Sequence, residues 1–147
     1  MNRQMITAAA LAAVLVPVAA APAAPAAPTA VRSPYMDKRV NACEGPRPGC
    51  NPGAVAHYWY KRGSSARGVG WVYASREGVR SGTARWLVKK PGGTWKTGGG
   101  WKRAKRISTF VEVGWGKDGH TGPKYPKNTR ICVEFKGLSK KGCVTLK

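Results

Sequence analysis

TRICVEFKGLSKKGCVTL, residues 129–146, decides the fold. It reads as two strands, Thr129 to Phe135 and Gly142 to Leu146, around a turn near Lys136-Gly137-Leu138-Ser139. Side chains alternate between faces along a strand, so a pairing register fixes which residues meet. If Cys132 faces Cys143, then Ile131 faces Val144, Thr129 faces Leu146 and Val133 faces Gly142. Ile131, Val133, Val144 and Leu146 then share one apolar face. Glu134 falls opposite Lys141 on the other face, beside the sulfurs, as a favourable cross-strand charge pair. One register serves the core, the sulfurs and the charges together. It predicts an antiparallel hairpin closed by Cys132–Cys143.

The other two cysteines, Cys43 and Cys50, flank a Pro/Gly-rich segment with no core of its own. An even cysteine count in a small exported chain reads as a disulfide framework, so the second expected bond is Cys43–Cys50. Each short loop closed in this way contributes roughly 2.5–3 kcal/mol by loss of chain entropy. The spacings lack the close ligand pairs of a zinc module, and there is no C-x-x-C. No metal site and no cofactor is expected.

Upstream, short β-rich segments alternate with Gly, Pro, Asn and Lys, and helix-period apolar patterns are absent. Strands are expected over Ala54 to Lys61, Val69 to Ser75 and Thr83 to Lys89. Val69, Trp71 and Tyr73 should share a face, as should Ala84, Trp86 and Val88, with Trp71 and Trp86 in the core. Thr94 to Lys96 reads as a very short strand before Gly98-Gly99-Gly100. Ile107 to Trp115 is the longest strand candidate, and Gly116 to Asn128 a long loop. The expected fold is all-β: a small disulfide-stapled antiparallel sandwich or barrel of six or seven strands.

Residues 1–28 read as a secretory signal with an Ala/Pro spacer. Arg3 precedes an apolar run from Met5 to about Val18, too short to span a bilayer, and small residues with A-x-A sites follow. Residues 29–53 read as an irregular, Pro-rich, disulfide-closed arm, and 54–147 as a single basic β domain. The expected location is outside the cell, and the Ala/Pro/Gly/Arg bias fits a high-GC bacterial genome. The chain carries a formal charge of +20 from 26 Lys/Arg and 6 Asp/Glu. Arg3 is the only charge in the first 30 residues, so the remainder holds about +19. Like charges oppose a compact state and attract polyanions.

Enzyme chemistry finds little support. No G-x-S-x-G is present, the cysteines are assigned to disulfides, and the six acids are not clustered in sequence. RNA cleavage by His57 and His120, with Lys/Arg holding the phosphate, is the surviving enzymatic alternative. Inhibition of an exported hydrolase is another. The most informative segment is KKPGGTWKTGGGWKRAKR, residues 89–106. It places Trp95 and Trp101 among seven cations, Lys89, Lys90, Lys96, Lys102, Arg103, Lys105 and Arg106, with no acid. Flat aromatics between cations suit bases or sugars beside phosphates, or a membrane interface with anionic headgroups. The plain alternative is a solvated loop with both Trp folded back on the core. Lys117, His120, Lys124, Tyr125 and Lys127 of the long loop can extend a cationic face. The leading expectation is a secreted, monomeric, non-enzymatic protein that binds an anionic polymer or surface: a cell-wall polymer, anionic lipid or extracellular nucleic acid. An antimicrobial role follows from the same physics.

Overall fold

The computed structural model describes residues 32–42 and 51–147. The strands are β1 (Tyr35–Asn41), β2 (Gly53–Lys61), β3 (Ala66–Glu77), β4 (Thr83–Lys89), β5 (Trp95–Arg103), β6 (Lys105–Ile107), β7 (Phe110–Gly116), β8 (Lys124–Pro126), β9 (Arg130–Phe135) and β10 (Lys141–Thr145). No helix occurs among the described residues. The predicted signal and the expected Cys43–Cys50 bond lie outside the described residues.

The terminal hairpin has the expected register. Cys143 faces Cys132, Val144 faces Ile131, Gly142 faces Val133 and Lys141 faces Glu134. The Cys132–Cys143 disulfide is formed, and Lys141 Nζ lies 2.7 Å from Glu134 Oε2. Ile131, Val133 and Leu146 are fully buried and Val144 nearly so.

Two antiparallel sheets form a sandwich-like fold. One runs β1-β2-β3-β7-β6, with β8 also on β3; the other runs β10-β9-β4-β5. Their inner faces meet in one core. The six-stranded sheet brings small residues there, such as Ala54, Ala56 and Ala74, and the four-stranded sheet brings Trp86 and Phe135. Small side chains from one layer and large rings from the other fill this shared core.

Several segments differ from the sequence expectation, each for a physical reason. The arm expected to be irregular contains β1, which pairs along β2 from Tyr35↔Lys61 to Asn41↔Val55. The region after Pro91 is a nine-residue strand, β5, that runs through all three glycines. A Cβ at Gly98 or Gly99 would overlap the Trp86 ring, so these glycines admit a large core side chain rather than break a strand. The expected long strand from Ile107 to Trp115 is a hairpin. Ile107 pairs with Phe110, Ser108 turns the chain at φ 53°, and Ile107 is left 46% exposed. The long loop contributes β8 to the upper part of β3.

Trp71 is also displaced from its expected place. His57 pairs with Trp71 but Tyr58 pairs with Val69, so Gly70 is an extra residue in β3. A bulge of this kind shifts the alternation by one. Val69 faces the core at one side of it; on the other side Val72 and Ala74 do, and Trp71 and Tyr73 point outward. Trp86 is buried as expected.

Candidate functional site

The outward positions of the four-stranded sheet are Arg85, Leu87 and Lys89 on β4, Arg130, Cys132 and Glu134 on β9, and Lys141 and Cys143 on β10. On β5, Trp95 lies opposite Lys89. Trp95 is 40% exposed and Trp101 47%. Around the Trp95 ring centroid stand Lys89 Nζ at 5.9 Å, Arg130 Cζ at 6.0 Å and Lys141 Nζ at 5.9 Å. Arg85 Cζ lies 4.7 Å over the Trp101 ring. Aromatic faces carry negative potential, so they hold cations at the surface without neutralising them.

A single carboxylate organises this face. Glu134 is nearly buried and accepts from both Arg85 and Lys141. Burial alone would raise its pKa; the hydrogen bonds from Lys141 and Arg85, with their charges, prevail and hold the carboxyl below the usual range.

The sequence-derived cation cluster divides in three. Lys89, Trp95 and Trp101 share the outward face just described. Lys90 and Lys96 line a depression at the β4–β5 turn beside Tyr125, whose phenol is pushed up by burial. Lys102, Arg103 and Lys105 line a different cleft, with Tyr73 and Glu112 of the six-stranded sheet. Lys102 Nζ donates to the Gly114 carbonyl at 2.8 Å, and Arg106 to the Ser108 carbonyl at 3.1 Å. Arg85, Arg130 and Lys141, absent from the sequence-derived set, complete the aromatic face. The register itself was the available signal: it put Lys141 and Glu134 on the sulfur side of the hairpin.

The two histidines converge through a residue that sequence reasoning had not singled out. Gly116 (φ 84°) starts a loop that runs close against the Gly70 bulge. Lys117 N–H donates to the Gly70 carbonyl, and Val69 N–H to that of Pro123. The loop carries His120 to the outer face of the six-stranded sheet. There His57 Nε2 lies 3.1 Å and His120 Nε2 2.9 Å from the same Asp37 Oδ1. His57 Nδ1 is buried without a partner and abuts Gly70. This arrangement favours the Nε2–H tautomer, which donates to Asp37. His120 also packs on Tyr35 and Trp59, and His57 stacks on Trp71. Lys124 Nζ lies 5.4 Å over Trp59, so this lysine does not join the Trp95 face.

No protein family, curated protein or solved structure matches the chain. The functional reading therefore rests on the two outward faces alone. Among the described residues no group of His, Cys, Asp and Glu is arranged to hold a metal ion.

Proposed function

We propose that this chain is an extracellular, non-enzymatic binding protein that holds an anionic polymer or surface on the outer face of its four-stranded sheet. The observation that carries the reading is Trp95, exposed among Lys89, Arg130 and Lys141, with Trp101 and Arg85 beside it. The rings offer stacking or interfacial area, and the cations offer phosphate contacts. The shared ligand chemistry is a phosphate-bearing chain or headgroup. A polyol-phosphate wall polymer, single-stranded DNA and anionic vesicles present it in three forms.

Binding to each of the three probes, measured against salt, tests the proposal. Four cations on phosphates give a slope of log K against log salt near −3 for a single-stranded polymer, by about −0.7 per contact. Trp95→Ala should weaken binding by roughly 1–3 kcal/mol. Charge reversal at Arg130 and Lys141 should weaken it further, and Arg106→Glu much less. Affinity for all three probes that ignores salt would remove the electrostatic basis of the proposal.

The shared Asp37 gives the nuclease alternative a specific observation, because His57 and His120 do meet. Acid–base cleavage, however, needs imidazole nitrogens directed at a scissile phosphate. Here both Nε2 atoms are directed at Asp37. Purified protein is expected to leave RNA and DNA intact. Turnover abolished by His57→Ala in a folded variant would replace the binding reading with the enzymatic one.

A further inference from the structure

The Gly70 bulge turns Trp71 outward, onto a groove across the six-stranded sheet. Trp71 and Tyr73 stand on this face with rings 5.1 Å apart at 77°, so they form a floor and a wall. Their neighbours across the strand are glycines: Gly116 opposite Trp71 and Gly114 opposite Tyr73. A Cβ on Gly114 would sit 2.6 Å from the Tyr73 ring, so the missing side chain lets that ring lie against the sheet. Trp71 is backed by the His57 stack, which Asp37 and His120 hold in place. Two depressions of 280 and 260 Å³ lie here and share Tyr73 and Glu112. The first ends at Arg39 on β1 and the second reaches Lys105 on β6. Together they cross five neighbouring strands, roughly 19 Å at ~4.8 Å per spacing.

We infer that this groove is a second binding site, distinct from the Trp95 face, and that it takes the sugar rings of a glycan chain. Aromatic faces are electronegative and the C–H faces of pyranoses weakly electropositive, so a sugar stacks on the exposed Tyr73 ring, beside Trp71 with His57 stacked on it and Arg39 Cζ 5.8 Å over it. Hydroxyl groups donate and accept together, and so need both kinds of partner. Arg39 supplies donors at one end and Glu112 supplies an acceptor in the middle. No described residue forms an ion pair with Glu112 within 4.0 Å, which leaves its carboxylate open to a ligand. Lys102, Arg103 and Lys105 add further donors beside Glu112 in the second depression. Two rings meeting at 77° suit one sugar in a corner better than a run of parallel stacked bases.

Calorimetric titration of the full chain with neutral oligomers of glucose and of N-acetylglucosamine, in order of increasing length, tests this. Affinity should rise with length and then level off. It should change little with salt, which separates this site from the polyanion face. Tyr73→Ala, at a position already 39% exposed, and Glu112→Gln should each weaken binding roughly tenfold, the effect of one good contact. Trp95→Ala should leave it unchanged. Circular dichroism of each variant checks that it is folded. The inference is overturned if neither series binds at millimolar concentration, or if binding survives both groove substitutions. It is also overturned if single-stranded DNA, rather than the sugars, is the ligand lost on Tyr73→Ala.

Discussion

Replacing Glu134 by Gln should destabilise the fold and at the same time tighten polyanion binding. Glu134 is 8% exposed and accepts from Arg85 and Lys141, whose side chains are 33% and 39% exposed. Gln keeps one acceptor oxygen but turns an NH2 toward the second cation. One charge-assisted hydrogen bond, worth roughly 1.5–3 kcal/mol, is lost. Water reaches both cations and replaces part of it, so about 2 kcal/mol is expected rather than the ~3–5 of a fully buried broken pair. For a domain of this size that is a fall in Tm of about 8 °C. The effect must depend on pH. The folded-state pKa of Glu134 is lowered, so its contribution is present above the unfolded carboxyl value near 4.3 and lost as pH falls through the folded value. Urea unfolding followed by Trp fluorescence should show a gap between wild type and E134Q at pH 7 that closes in acid. Affinity for a polyphosphate at low salt should rise several-fold, because Arg85 and Lys141 are released toward the ligand. A gap under about 0.5 kcal/mol at pH 7, or one of the same size in strong acid, would refute this account of the face.

Three further outcomes are expected. Gly99→Ala places a methyl group into the Trp86 ring and should cost about 1–3 kcal/mol by overpacking, read as a lower Tm with the same fold by circular dichroism. Replacing both Cys132 and Cys143 by Ala opens a loop of sequence separation 11 and should cost about 2.5–3 kcal/mol in urea unfolding. Tyr125 has a raised pKa from burial, so its contribution to stability holds below the ordinary phenol value near 10 and fades as pH rises through the folded value. Absorbance titration should show a late phenolate component that Tyr125→Phe removes.

The terminal hairpin was legible because three independent requirements agreed on one register, and a one-residue slip would have violated all of them. Trp86 was legible because its strand alternates without interruption. Trp71 was not, because one inserted glycine reverses the faces, and Gly70 in the sequence does not announce whether it is a bulge or an ordinary strand residue. The glycine run of β5 was misread for a related reason. Glycine is a poor strand former on its own, and what makes it necessary is Trp86, which stands on the neighbouring strand. The break after Ile107 carries no Gly or Asn; Ser108 takes the positive φ instead. The site residues were legible only in part. Lys89, Trp95 and Trp101 are close in sequence, whereas Arg85, Arg130 and Lys141 reach them through the pairing of four strands.

Charge links the proposed activity to the stability of the fold. A net +20 opposes compaction everywhere on the surface, yet the cations are held close together on the Trp95 face around one carboxylate. Outward Trp95 and Trp101 add no core burial to offset that repulsion. An anionic ligand on this face relieves the repulsion in the folded chain, where the cations are gathered, more than in the unfolded chain, where they are dispersed. Linkage then requires such a ligand to stabilise the fold, by at most about 2.7 kcal/mol at a hundred times its Kd, less whatever it gains from the unfolded chain. A neutral glycan in the Tyr73 groove can stabilise only through its own contacts, with no dependence on salt. Thermal shifts measured with a polyphosphate and with a neutral oligosaccharide, at low and high salt, therefore separate the two faces without any substitution. The polyphosphate shift should collapse with salt while the oligosaccharide shift persists, and equal salt sensitivity of the two would mean that one face binds both.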